Sequence, residues 1–227
     1  MLAIKYAVDQ IIAGVVINIF ALGITSFLTG QILVENQQLN NSGVMSPMAI
    51  PLLSDIPLLG PVLFDQNIFV YMMFLTVAAT TFVLYRTRWG LRARAVGEHP
   101  KAADTVGINV FKMRYVNVIV GGMIAGFGGA YFTLGSVGRF DENMTLGRGF
   151  IALAAMIFGR WNPVGALGAA LVFGFADALQ IKLGTLGTPI PSEFLAMAPY
   201  IVTVVVVAGL VGKSRPPAAD GQPYIKE

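Results

Sequence analysis

The sequence predicts an all-α fold: a polytopic transmembrane helical bundle of about six spans with one short cytoplasmic helix. Three observations predict it. Only 12% of the 227 residues are charged and 56% are hydrophobic, with a mean hydropathy of +0.71, whereas soluble domains carry about 25% charged residues. No Lys or Arg lies between Lys5 and Arg86, and seven then crowd into residues 86–114. A chain that threads a bilayer collects its basic residues in the loops that stay inside. Glycine is abundant, with 26 residues, and gathers in the apolar runs, as packed transmembrane helices prefer.

Each span needs roughly 20 mostly apolar residues to cross about 30 Å of hydrocarbon. Residues 10–29 supply the first. Only Lys5 precedes the apolar stretch, so it reads as a span and not as a signal peptide. A loop over 31–66 follows, rich in Asn, Gln, Ser and Pro, with Glu35, Asp55 and Asp65 as its charges. The second span is 67–85, the basic loop 86–114, and the third span 115–136. After a polar loop at 137–147, residues 148–158 are short for a span. They read as a tilted span extended by Met144 to Gly147 in preference to a half-helix covered by its neighbours. A break at Gly159-Arg160-Trp161-Asn162-Pro163 leads to a span at 164–181, a Gly/Pro turn at 182–193 and a sixth span at 194–211. Residues 1–212 thus form one transmembrane domain and 213–227 a cytoplasmic tail. With both termini inside, twelve of the fifteen basic residues fall on the inner side, and only Arg139, Arg148 and Lys182 fall outside.

Several chemistries lack their residues. There is no cysteine, which removes disulfides, thiolate nucleophiles and Cys-ligated metals. The single histidine, His99, does not suffice for a His-based metal site, so no cofactor is expected. The basic residues have no accompanying aromatic stripe, which argues against nucleic acid. The spans hold no nucleophile, base or metal constellation, which argues against a membrane-embedded enzyme. Gly212-Lys213-Ser214 imitates the end of a phosphate-binding loop, but Val207 stands where that pattern needs glycine. Two glycosylation-type tripeptides, at Asn40 and Asn143, are of the kind that chance supplies.

Small residues recur at spacing four in the third span, at Gly122, Gly126 and Ala130 and at Ala125 and Gly129. Gly165, Gly168 and Gly174 repeat the theme later. Such faces let backbones approach closely, either for ordinary packing or for a moving interface. Asp177 is the one carboxylate well inside an apolar run. Near the outer end of its helix it is read chiefly as structural, able to pair with Lys182, Arg139 or Arg148, and otherwise as a functional group. Asn18, Asn117 and Gln180 either hydrogen-bond between helices, at about 1 kcal/mol each, or line a polar pathway with Asp177.

The basic loop carries the most information. Arg86, Arg88, Arg92 and Arg94 mark the end of the second span, and then comes Gly97-Glu98-His99-Pro100-Lys101-Ala102-Ala103-Asp104-Thr105-Val106-Gly107-Ile108. Proline suits a first helical turn, Ala102 and Ala103 are strong helix formers, and Gly107 is a plausible stop. The pattern predicts a short helix outside the lipid, joined to two spans, which a soluble partner could grip as a lever.

This segment resembles the coupling-helix loop of ABC-importer permeases of the ribose, branched-chain amino acid and nucleoside type. The stretch 141–163, with Gly147-Arg148-Gly149-Phe150 and Gly159-Arg160-Trp161-Asn162-Pro163, resembles the nucleoside (simple-sugar) branch. So do Gly174-Phe175-Ala176-Asp177-Ala178-Leu179-Gln180 and the ending Pro223-Tyr224-Ile225-Lys226-Glu227. Members usually carry about three further spans ahead of the part that resembles residues 9–28, so the chain looks N-terminally short. The resemblance implies a multi-pass permease of the plasma (inner) membrane without catalytic activity of its own. Implied partners are cytoplasmic ABC ATPase subunits, a second permease subunit (commonly a different chain) and an extracytoplasmic substrate-binding lipoprotein. It also implies that Glu98 to Asp104 dock in a groove of the ATPase. The substrate would be an uncharged nucleoside or sugar, with Tyr131, Phe132, Phe140, Phe173 and Phe175 read either as sources of stacking or, equally, as lipid-facing or packing residues. The rival expectation is a secondary transporter driven by an ion gradient, for which Asp177 is the sole mid-span ionisable candidate and no internal repeat is evident.

Overall fold

A computed structural model describes residues 1–57, 60–186, 194, 197, 201 and 214–226. Most of the expected sixth span, together with Lys213, lies outside the described residues. The helices are α1 (Leu2–Lys5), α2 (Gln10–Leu28), α3 (Ile68–Arg86), α4 (Arg88–Glu98), α5 (Pro100–Thr105), α6 (Val110–Ala130), α7 (Arg148–Phe158) and α8 (Pro163–Thr185). Wider π-type turns extend α2 over Thr29–Leu33 and α6 over Tyr131–Val137. Four of these segments are long and apolar enough to cross a membrane: Gln10–Leu33, Ile68–Arg86, Val110–Val137 and Pro163–Thr185. They correspond to the expected first, second, third and fifth spans.

Local chemistry starts the long helices where the sequence changes character. The Asp9 carboxylate accepts from the backbone N–H groups of Ile11 (2.8 Å) and Ile12 (3.1 Å), and α2 begins. Asn67 accepts from Phe69 N–H (3.0 Å) at α3, and Asn109 from Lys112 N–H (2.9 Å) at α6. Asn162 accepts from Val164 N–H (2.9 Å) at α8, where Pro163 fills the first turn. Each side chain satisfies one or more of the orphan donors that a helix start leaves.

The chain divides into two compact units, residues 1–146 with 218–227, and residues 147–217. In the first, the loop at 31–66 is tied down by its own polar groups. Asn40 accepts from Phe140 N–H (2.7 Å) and donates to the Phe140 carbonyl (2.8 Å), and Ser42 donates to the Gly138 carbonyl. Two strands, β1 (Met48–Ala49) and β2 (Asp65–Gln66), pair antiparallel within it, with Met48 opposite Gln66. The Tyr71 hydroxyl donates to the Met48 carbonyl at 2.8 Å and so holds this pair to α3.

In the second unit α7 turns back onto α8. The fourth segment departs from the expected span. Its helix has eleven residues, which at 1.5 Å each reach about 16 Å, half the hydrocarbon thickness. Extension through Met144 to Gly147 fails because Asn143, Leu146 and Gly147 all adopt positive φ, which ends a right-handed helix. At the other end Arg160 and Trp161 also have positive φ (56° and 58°), reversing the chain within the Gly159–Pro163 break. A Cβ on Gly159 would meet the backbones of Gly165 and Ala166, and one on Gly165 would meet the Gly159 backbone. Glycine at both positions is what allows the two helices to touch main chain to main chain. The stripe on α6 differs: Gly122, Gly126 and Gly129 face open space among the described residues.

Candidate functional site

The short helix predicted in the basic loop is present, and a second helix precedes it. Thr87, in extended conformation, ends α3 and caps α4, its Oγ1 accepting from Gly90 N–H at 3.2 Å. Helix α4 turns Trp89, Ala93 and Val96 inward and leaves Arg88, Arg92 and Arg94 exposed. The spacing 89, 93, 96 is a helical apolar stripe, so a signal for α4 stood in the sequence; the density of arginines concealed it. Arg94 lies over the Tyr85 ring, 5.1 Å from its centroid. Residues 88–98 thus form a second helix of the basic loop, not a plain end to α3.

Helix α5 spans Pro100–Thr105, with Pro100 in its first turn. Gly107 takes a left-handed φ of 82°, its N–H donates to the Asp104 carbonyl, and Ile108 N–H donates to the Ala103 carbonyl. The expected stop is therefore where the sequence put it, because glycine enters this conformation without Cβ strain. Glu98, His99, Lys101 and Ala102 are exposed, Gly97, Pro100 and Asp104 are half-buried, and Gly107 is exposed.

Ala103 does not share the outward face with Ala102. It is 3% exposed and belongs to a buried cluster with Val96, Val110, Met113 and Tyr224. Successive helical residues diverge by about 100°, so one alanine can face a partner only while the other faces the core. The sequence reading paired them on a docking surface; the structure assigns Ala103 to packing.

Tyr224 comes from the C-terminal tail, whose docking here sequence reasoning missed. Its ring lies 5.5 Å from that of Phe111 at 60°. Arg114 donates to the Gln222 carbonyl at 2.9 Å, and Ala219 N–H donates to the Gly97 carbonyl at 2.9 Å. Lys226 pairs with Asp104 at 3.7 Å. The available signal was Tyr224-Ile225, the sole aromatic–aliphatic pair in an otherwise polar tail. The tail lies on the same side of the unit as the basic loop. A Cβ on Gly221 would come within 3.0 Å of the Gln10 side chain, so the start of α2 lies there too.

The four polar span residues have separate fates. Asn117 accepts from the Trp89 indole N–H at 3.2 Å, linking α6 to α4. Asp177 pairs with Arg148 at 3.2 Å, joining α8 to the start of α7. Gln180 follows within a turn of Asp177 on α8 and is half-buried, and Asn18 is exposed on α2. The aromatic residues suggested for stacking also divide. Tyr131 packs against Phe69 and Phe132, and Phe173 is buried against Phe158, whereas Phe175 is exposed. Where the loop at 31–66 meets residues 139–142, an open bowl of about 670 Å³ is lined by Asn40, Asn41, Arg139, Phe140, Asp141 and neighbouring residues. Arg139 and Asp141 bind each other there at 2.9 Å.

Known proteins place this architecture. The chain is 44% identical to the guanosine ABC transporter permease protein NupQ of Bacillus subtilis, over 99% of this chain and 71% of that protein. It is 42% identical to the nucleoside ABC transporter permease protein NupC of Lactococcus lactis, over 96% and 69%. The putative glucose ABC transporter permease protein TsgC13 of Haloferax volcanii is 32% identical, over 100% and 75%. The chain thus spans about seven tenths of each of these relatives. No solved structure matches it. The four apolar helices are those of a membrane-embedded protein, and the family model described as branched-chain amino acid transport system / permease component matches residues 1–212. With that coverage, and with relatives above 40% identity along nearly all of its length, the chain belongs to this family of transport permeases.

Proposed function

We propose that this chain is the membrane-spanning, non-catalytic subunit of an ABC importer for nucleosides or simple sugars, with ATP hydrolysed by a separate cytoplasmic partner. The observation that carries the reading is the handle: two short helices, α4 and α5, standing between the spans α3 and α6 and cemented to α6 by a buried cluster. A force applied to α5 cannot dissipate in a loose loop. It passes through Val96, Ala103, Val110 and Met113 into the first turns of a span. Catalysis is not asked of the chain; its part is to change shape when a partner does.

In this reading the exposed residues Glu98, His99, Lys101 and Ala102, with Asp104 beside them, meet the ATPase, while Gly97, Pro100, Ala103 and Gly107 set the helix in place. A second permease subunit completes the pathway, and an extracytoplasmic binding lipoprotein delivers the substrate to the outer side. Both termini lie in the cytoplasm, a placement supported by the contact of the tail with the basic loop. The substrate class draws on the relatives named for guanosine, nucleosides and glucose. Asn18 and Gln180 are the polar span residues assigned to the pathway. Asn117 and Asp177 serve helix contacts first.

Uptake of labelled guanosine, other nucleosides and glucose by cells carrying the permease and its partners tests the proposal. Uptake should survive collapse of the ion gradients by an uncoupler and stop when the ATPase partner cannot hydrolyse ATP. The opposite pattern would make the protein a carrier driven by an ion gradient.

A further inference from the structure

The C-terminal tail is fastened to the handle at four kinds of contact. A side chain is buried, because Tyr224 is only 7% exposed within the cluster that also holds Ala103. A charged donor binds main chain, because Arg114 donates to the Gln222 carbonyl. Main chain binds main chain, because Ala219 N–H donates to the Gly97 carbonyl at the end of α4. An ion pair closes the far edge, between Lys226 and Asp104 on α5. The first two hold the tail to α6, and the other two hold it to α4 and α5. A helix of six residues is marginal by itself in water, and α5 has just six. Its own contribution to the cluster is one methyl group, Ala103, so the apolar cover on that side of the helix comes from the other members: Val96 of α4, Val110 and Met113 of α6, and the Tyr224 ring of the tail.

We propose that residues 218–226 form a strap that fixes the angle of α5 against α4 and α6, with Tyr224 as the positioning residue. Without the strap α5 can pivot about its two ends, at His99 and Gly107. A push on α5 is then spent on turning the short helix instead of moving α6. The structural half of this proposal stands on the contacts above. The functional half rests on the permease reading, because it assigns the strap to the transfer of force from a partner.

The natural chain has no cysteine, so one introduced cysteine is a unique labelling site. Val106 follows α5 directly and is 74% exposed. Val106→Cys carrying a nitroxide is purified as the 227-residue chain in lipid nanodiscs, with Tyr224 intact, as Tyr224→Phe or as Tyr224→Ala. The expected result is a mobile, sharpened spectrum in Tyr224→Ala and an unchanged one in Tyr224→Phe, which keeps the ring. An unchanged spectrum in Tyr224→Ala overturns the strap, and this reading needs no ATPase. In the assembled transporter, Tyr224→Ala should reach the membrane and retain the ATPase. Substrate moved per ATP hydrolysed should fall about tenfold, as when the competent conformer becomes a minor one, and Tyr224→Phe should restore it. A sharpened spectrum with an unaltered transport ratio would overturn the force-transfer role. Failure of the unmodified protein to show ATP-dependent uptake would count against the permease reading and leave the spectral result to decide the strap.

Discussion

Asp177 illustrates what one residue's position decides. In the sequence it is a lone carboxylate in an apolar run with three basic residues within plausible reach. In the structure it pairs with Arg148, and both side chains remain close to half exposed. Ion pairs of such exposure contribute about 0–1 kcal/mol, so the pair trims the α7–α8 hairpin more than it sustains it. Asp177→Asn is expected to lower thermal stability slightly and to leave the order of preferred substrates unchanged. Arg148→Gln should do the same, and the double variant should be no worse than either single one. Competition uptake with a panel of nucleosides and sugars, alongside melting in detergent, checks this; a new substrate order would assign Asp177 to the pathway. Pairing with Arg148 was one of three open choices because a side chain's reach can be estimated from sequence, whereas the neighbour that folds into that reach cannot.

At the scale of elements, the handle was legible and its packing was not. Pro100, Ala102, Ala103 and Gly107 mark a short helix by local backbone preferences alone. Which alanine faces inward depends on α6 and the tail, whose contacts with α5 belong to tertiary structure. The two neighbours should therefore respond differently to the same change. Ala102→Glu places a charge on the exposed face and is expected to weaken ATPase co-purification with little effect on melting. Ala103→Glu forces a charge into the cluster, where leaving it uncompensated costs about 3–5 kcal/mol, and should lower the melting temperature in detergent by several degrees. Equal melting of the two variants would contradict the burial of Ala103. The half-length α7 teaches the same lesson. Its eleven residues, 148–158, stand out in the sequence as one segment, but positive φ at Asn143, Leu146 and Gly147 denies them the extension a full span requires.

For the whole molecule, orientation is the property on which the functional reading turns. The tail and the start of α2 lie at the basic-loop side of the first unit, while the loop at 31–66 is bonded to residues 138–140 at the other end of α6. Val106 and Leu52 are well exposed, at 74% and 86%, and mark the two sides. In intact cells a membrane-impermeant maleimide should label Leu52→Cys and not Val106→Cys, and in inverted vesicles the pattern should reverse. Labelling of Val106→Cys from outside would put the handle out of an ATPase's reach and end the importer reading. Membership in the permease family does not depend on that outcome, since it rests on similarity along residues 1–212.

The sequence by itself determined where apolar helices begin and run, that a lipid phase surrounds them, and that a short helix interrupts the basic loop. Hydropathy, caps and turn residues act over a few neighbours, so they can be read along a line. Tertiary structure alone decided that Tyr224 reaches back across more than 100 residues to join Ala103 in one buried cluster, that Arg148 is the partner of Asp177, and that α4 packs into the handle. Those outcomes follow from which surfaces exclude water or lipid from one another, and that competition is settled only when distant segments meet.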